Sequence, residues 1–146
     1  MRVVIMGCGR VGSQLAARLD REGHEVSVID ANQKALRRLP DDFGGHTVVG
    51  TGIDEDVLRA AGIEQADAFV AVTEGDNRNI MAAQVAREIF RVPEVVARIY
   101  DPVREEIYRG LGLDTICPTK LIGGMVYDRL RATVASFQGG RKGDRR

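Results

Sequence analysis

The chain has 146 residues, 44% of them hydrophobic and 29% charged, and its formal net charge is zero. That length and balance suit one globular domain with a proper core and are too small for two full ones. Neutrality removes the electrostatic footprint of a nucleic-acid surface, so no nucleic-acid partner is expected, and no apolar run approaches the roughly 18 to 20 residues of a transmembrane segment.

The first residues, MRVVIM, pass directly into an apolar strand at 2–6, which leaves no room for a signal peptide. Val11, Leu15 and Leu19 then recur at helical spacing, and Gly23 stops that helix. EVSVI (25–29) reads as a second strand ending at Asp30, followed by a helix over 32–39 that Pro40 helps to end. HTVVG (46–50) is a third strand, and DEDVLRAAG (54–62) a short helix with Asp54 as its N-cap. AFVAVT (68–73) is a fourth strand, with a helix from about Asn77 to Phe90 behind it. EVVARIY (94–100) is a fifth, and Asp101-Pro102 is a good N-cap and first-position pair for the next helix. TICP (115–118) is a short sixth strand. A last amphipathic helix is expected over 119–137, with Leu121, Ile122, Met125, Val126, Leu130 and Val134 on one side. The final residues, 138–146, read as a flexible basic tail.

Near-continuous apolar strands alternating with helices are the mark of a parallel sheet covered on both faces. The expectation is an α/β Rossmann-type, doubly wound sheet of six strands in the order 3-2-1-4-5-6, spanning 1–137.

GCGRVG (7–12) sits between the first strand and the first helix, where the dinucleotide fingerprint belongs. Gly7 permits the tight turn, Gly9 lets backbone amides approach phosphate, and Gly12 brings helix and strand together. The helix N-terminus adds unsatisfied N–H groups and a positive dipole end, with Cys8 and Val11 contributing backbone. Asp30 follows about 20 residues on, where a carboxylate accepts from ribose hydroxyls and repels a 2′-phosphate, so NADP is disfavoured. Ala31 and Asn32 continue that wall. Arg10 runs against the helix dipole and either folds over the loop to a terminal phosphate or reaches across a subunit interface.

Ligands of such sheets lie at the carboxyl ends of strands. Thr51 and Gly52 after the third strand are candidates for the adenine side, and Thr73 and Asn77 after the fourth for the far side. Glu74 and Asp76 read as loop acids or a helix cap. Arg98, a charge within the fifth strand, either turns to the cleft or lies at an edge of the sheet. No catalytic Ser-His-Asp set, Tyr-x-x-x-Lys pair or metal cluster is present, and Cys8, Cys117, His24 and His46 have no ligand spacing. A nucleotide held without visible chemistry points to sensing.

The chain resembles the TrkA N-terminal family, the nucleotide-binding half of regulator-of-K⁺-conductance (RCK, or KTN) domains. The resemblance runs from Met1 to about Phe137 and is most specific in VLRAAGI, ADAFVAVT and DNRNI. It implies a non-enzymatic, cytoplasmic regulatory subunit, peripheral at the membrane through a potassium transporter or channel partner. It also implies a homo-oligomer, a dimer or a larger ring, that binds NAD(H) or ATP, ADP or AMP. On the same grounds Arg10 matches an arginine that contacts a distal phosphate in several members, and Arg98 a position held by arginine in many. The helix at 119–137 either packs on its own sheet or crosses to a neighbouring subunit. Thr51 departs from the family, which usually has Asp there. Members often carry a second domain after the last helix, absent from this sequence, which is therefore a single-domain member or a portion of a longer chain. The alternative outside this class is a nicotinamide oxidoreductase fragment without its substrate domain. A redox-sensing repressor is disfavoured by neutral charge and the lack of a helix-turn-helix.

Overall fold

The β-branched runs pair into one all-parallel sheet of six strands in the computed structural model, which describes residues 1–141. The strands are β1 (Arg2–Met6), β2 (Glu25–Asp30), β3 (His46–Val49), β4 (Ala68–Ala71), β5 (Glu94–Arg98) and β6 (Asp114–Ile116). Their order is β3-β2-β1-β4-β5-β6, as the alternating pattern predicts. The order reverses between β1 and β4, and a crevice opens there at the strands' carboxyl ends.

Alternation along each strand sorts the core into two layers. Val3, Ile5, Val26, Val28 and Ala68 face one side, where α1 (Arg10–Arg21) covers them with Ala16, Leu15 and Leu19. Val4, Met6, Ile29, Phe69 and Ala71 face the other, against Leu58 of α2 (Glu55–Ala60) and Ala82 and Ala83 of α3 (Asp76–Gln84). Each layer removes fully buried aliphatic and aromatic side chains from water, at about 25 cal/mol per Å² of apolar surface.

The element between β2 and β3 is a 3₁₀ segment, Gln33–Arg38, where a helix over 32–39 was expected. Pro40 disfavours a helical Leu39, which is extended at φ −67° and ψ 141°, and Asn32 caps the other end through Lys34 N–H at 3.0 Å, so the segment closes in 3₁₀ turns. The helix after β4 is also divided: α3 gives way to a π-turn at Val85–Ile89, and Arg91 then takes a left-handed φ of 56°.

α4 (Pro102–Gly110) starts as predicted, with the Asp101 side chain accepting from Val103 N–H at 2.9 Å. α5 (Pro118–Arg141) is longer than expected. It takes in residues 138–141, which the sequence pattern assigned to the tail, while 142–146 lie outside the described residues. Residues 121–133 of α5 are exposed without exception, so its apolar side does not pack on its own sheet. No helix among the described residues is long and apolar enough to cross a membrane.

A buried carboxylate fixes where α5 begins. Glu105 of α4 is 4% exposed and accepts from Lys120 Nζ at 2.6 Å and Thr115 Oγ1 at 2.7 Å, with Arg109 Nε 3.6 Å away. Hydrogen bonds from Lys120 and then Thr115, with the Arg109 charge, hold its carboxyl below the ordinary range against the opposing effect of burial. The group therefore stabilises the fold fully above the ordinary carboxylate range, and loses that contribution as pH falls through its lowered value. Glu105→Gln is expected to cost about 2 kcal/mol in urea unfolding at neutral pH. Lys120→Met is expected to cost about 3 kcal/mol, because it strands a buried charge. The gap between wild type and Glu105→Gln should close in acid.

Candidate functional site

The turn from β1 into α1 brings backbone closer to backbone than any side chain allows. Gly7 has φ 109°, and a Cβ there would lie 2.9 Å from the Val72 carbonyl and the Thr73 nitrogen. A Cβ at Gly12 would overlap the Gly7 carbonyl oxygen. Both glycines are demanded by the chain's own packing. Gly9 is different. Its φ is −79°, open to any residue, and nothing lies within 4 Å of where its Cβ would be. The space beside it belongs to a cavity of about 690 Å³, of a size suited to a nucleotide.

α1 starts at Arg10 with no side-chain cap and no acidic residue in its first turn. Its first amides are therefore free beside the cavity, at the positive end of the helix dipole. Opposite them, Asp30 ends β2. Its Oδ2 accepts from Cys8 N–H and its Oδ1 from Asn32 N–H, both at 2.8 Å. The carboxylate thus braces the glycine loop and forms an Asx turn, with lone pairs left for a further donor.

The cavity wall includes Gly7, Gly9, Arg10, Val11, Asp30, Ala31, Asn32, Thr51, Gly52, Thr73 and Arg98, all predicted from the sequence. Three predicted residues are not on it. The Cys8 side chain points into the core, where burial pushes its thiol pKa up, so only its backbone belongs to the loop. Gly12 lies behind the turn. Asn77 is exposed and accepts from Arg104 Nη1 at 3.0 Å, tying α3 to α4 instead of lining the cavity. The wall also holds Arg38, Glu74, Arg78 and Tyr100.

Residues 3–119 match the TrkA-N domain family. The chain belongs to the TrkA-N family. Over 130 residues it is 54% identical to the Trk system potassium uptake protein TrkA of Streptomyces coelicolor, covering 89% of this chain and 58% of that protein. It is 36% identical to a TrkA homolog of Pyrococcus abyssi over 108 residues, covering 74% and 48%. It thus spans about half the length of these relatives. Among solved structures, the TrkA-N domain of the Escherichia coli inner membrane protein ybaL superposes with a TM-score of 0.77 at 20% identity, covering 88% of this chain and 96% of that one. The AMP-bound form of a Kef CTD from Shewanella denitrificans gives 0.74 at 21%, covering 99% and 89%. The GsuK channel bound to NAD gives 0.66 at 23%, covering 80% and 21%. Each of these likenesses shows the fold.

The far wall of this TrkA-N cavity hangs on a residue that the sequence reading passed over. Asn79 is fully buried. Its Oδ1 accepts from Thr73 N–H at 3.0 Å and Thr73 Oγ1 at 2.6 Å, and its Nδ2 donates to the Thr73 and Arg98 carbonyls at 2.8 and 2.9 Å. Every hydrogen-bonding capacity of the amide is used, locking β4 to β5 at the cavity floor. The available signal was helical phase: Asn79 shares its face with buried Ala82, Ala83 and Ala86, whereas Asn77 does not. Arg98 is half-buried. Its Nη2 donates to the Val72 and Thr73 carbonyls at 2.7 and 2.9 Å, and its guanidinium lies 4.7 Å from the Tyr100 ring centroid. Its Nε is buried without a partner.

These environments separate the three loop glycines in a stability experiment. In thermal denaturation, Gly7→Ala and Gly12→Ala should each cost about 2–4 kcal/mol through strain and overlap. Gly9→Ala should cost no more than about 1 kcal/mol, the difference in capping preference.

Proposed function

We propose that this chain is a regulatory nucleotide-binding domain that controls a membrane potassium transporter or channel and performs no catalysis of its own. The observation that carries the nucleotide reading is Gly9. Nothing in the chain's packing requires glycine there, yet a side chain would fill the space where α1's free amides face the cavity. A phosphate in that space accepts from those amides and meets the dipole end. Asp30 takes the ribose, and its charge disfavours NADP. Thr51 and Gly52 border the adenine, while Thr73 and Arg98 bound the far side.

The ligand is an adenine nucleotide: NAD(H), or ATP, ADP or AMP. The Kef and GsuK structures, solved with AMP and with NAD, support that range. The potassium-uptake names of the relatives support the transport partner. Such a domain works in the cytoplasm, at the membrane face through that partner.

Calorimetric titration of NADH, NAD⁺, ATP, ADP and AMP into the chain tests this reading. Binding of at least one in the micromolar range is expected, with Asp30→Ala and Gly9→Val each weakening it by roughly tenfold or more. If none of the five binds, the nucleotide reading fails. Arg10→Ala separates the two roles of Arg10: a selective loss for ATP places it on a terminal phosphate, and an even effect places it on the scaffold or an interface.

The exposed side of α5 supports self-association. Leu121, Ile122, Met125, Val126 and Leu130 lie on it, and Val103 and Ile107 of α4, with Leu111 just after that helix, are exposed as well. Exposed apolar rows of this kind favour an interface. Light scattering should return at least twice the 16.0 kDa chain mass. Ile107→Glu combined with Met125→Glu should return a monomer with unchanged circular dichroism. A monomeric wild type would remove the homo-oligomer from this reading.

A further inference from the structure

We propose that Arg78, folded back over Gly75, reads the ligand's outer phosphates together with Arg10 and makes the cavity selective for ATP and ADP over AMP. The proposal rests on the nucleotide reading above and deepens it.

Charge is the first ground. Arg10, Arg38, Arg78 and Arg98 line the cavity against only two carboxylates, Asp30 and Glu74, so positive charge is in surplus on the wall. Two of these guanidinium groups are committed to the protein: Arg38 Nη1 donates to the Cys8 carbonyl at 3.4 Å, and Arg98 holds the Val72 and Thr73 carbonyls just after β4. The Arg10 and Arg78 guanidinium groups make no hydrogen bond or ion pair among the described residues, the Arg10 carbonyl alone accepting from a side chain, Ser13 Oγ at 3.4 Å. They stand on opposite walls of the crevice. Arg10 opens α1 behind β1, and Arg78 lies in the first turn of α3 behind β4.

Gly75 is the second ground. Its φ of −98° is open to any residue, so backbone conformation does not explain a glycine there. A Cβ at this position would lie 2.7 Å from Arg78 Nε and 3.0 Å from its Nη2. With no Cβ at Gly75, the flexible Arg78 side chain lies back over the loop at the cavity wall. A cation in a first helical turn also opposes the dipole. The Asp76 carboxylate of the same turn is directed to the Tyr100 and Asp101 amides, at 2.8 and 3.0 Å, and forms no ion pair with Arg78 among the described residues. An anion between the two walls compensates both arginines, and guanidinium is well matched to phosphate oxygens. A first phosphate held by the α1 amides leaves only a second or third for this pair. AMP has neither.

The test is a titration of ATP, ADP and AMP into wild type, Arg78→Ala, Arg78→Lys and Gly75→Ala. Divalent cations are left out so that the phosphates keep their charge. Wild type is expected to prefer ATP and ADP over AMP. Arg78→Ala should weaken ATP and ADP by roughly tenfold and AMP by less than about twofold. Arg78→Lys should recover part of that loss, and Gly75→Ala should follow Arg78→Ala in direction. Equal losses for AMP and ATP, no loss for either, or a wild type that binds AMP or NADH but not ATP would overturn the proposal while leaving the nucleotide site intact. A wild type that binds none of these nucleotides, NADH included, would instead defeat the underlying nucleotide reading.

Discussion

The whole site depends on one close approach, where the backbone of the β1–α1 turn packs against itself and against β4. Gly12 rests on the Gly7 carbonyl, and Gly7 rests on the Val72–Thr73 peptide. Neither contact survives a Cβ. Because the turn is so tight, α1 starts directly beside the carboxyl end of β1, and its uncapped amides face the crevice instead of bulk water. The Asp30 carboxylate then fastens the loop from the β2 side through the Cys8 amide. A helix N-terminus left unsatisfied by its own chain is a standing electrostatic preference for an anion. Rigid packing is what turns that preference into a defined site.

The opposite wall is rigid for a different reason. Asn79 spends all its hydrogen bonds on Thr73 and the Arg98 carbonyl, while Arg98 returns two to the end of β4. A fully satisfied buried amide of this kind is costly to rearrange, since any movement leaves polar atoms unpaired away from water. One wall therefore stands on steric closeness, the other on polar saturation.

What was legible in the sequence follows from which forces act locally. Strand order came from alternating apolar runs, and the loop from glycine spacing, because both patterns are written in adjacent residues. Asp30 was legible as part of that spacing. Its double duty toward Cys8 and Asn32 was not, since that contact joins residues on neighbouring strands. Asn79 was missed for a similar reason: two asparagines lie in DNRN, and only the helical phase set by Ala82, Ala83 and Ala86 shows which one turns inward. The segment at 33–38 looked helical because Ala35, Leu36 and Leu39 have the right spacing, yet Pro40 sets Leu39 in extended backbone and the segment closes in 3₁₀ turns. Arg78 left no local signal either, because its relation to Gly75 depends on a rotamer rather than on sequence distance.

The far wall and the projecting helix are parts of one hydrogen-bonded assembly. Asp76, at the start of α3, accepts from the amides of Tyr100 and Asp101, and the Tyr100 carbonyl accepts from Thr119 Oγ1 at 2.7 Å at the start of α5. Asn77 reaches Arg104 on α4, whose Glu105 holds Lys120. The stretch 73–79 that bounds the cavity is thus joined through two short routes to the helices that carry exposed apolar rows. Coupling of two sites requires an element whose position both of them bias. The Tyr100–Asp101 corner meets the geometric part of that requirement. It is gripped from the cavity side by Asp76 and from the α5 side by Thr119, so both grips close on the peptide unit between Tyr100 and Asp101.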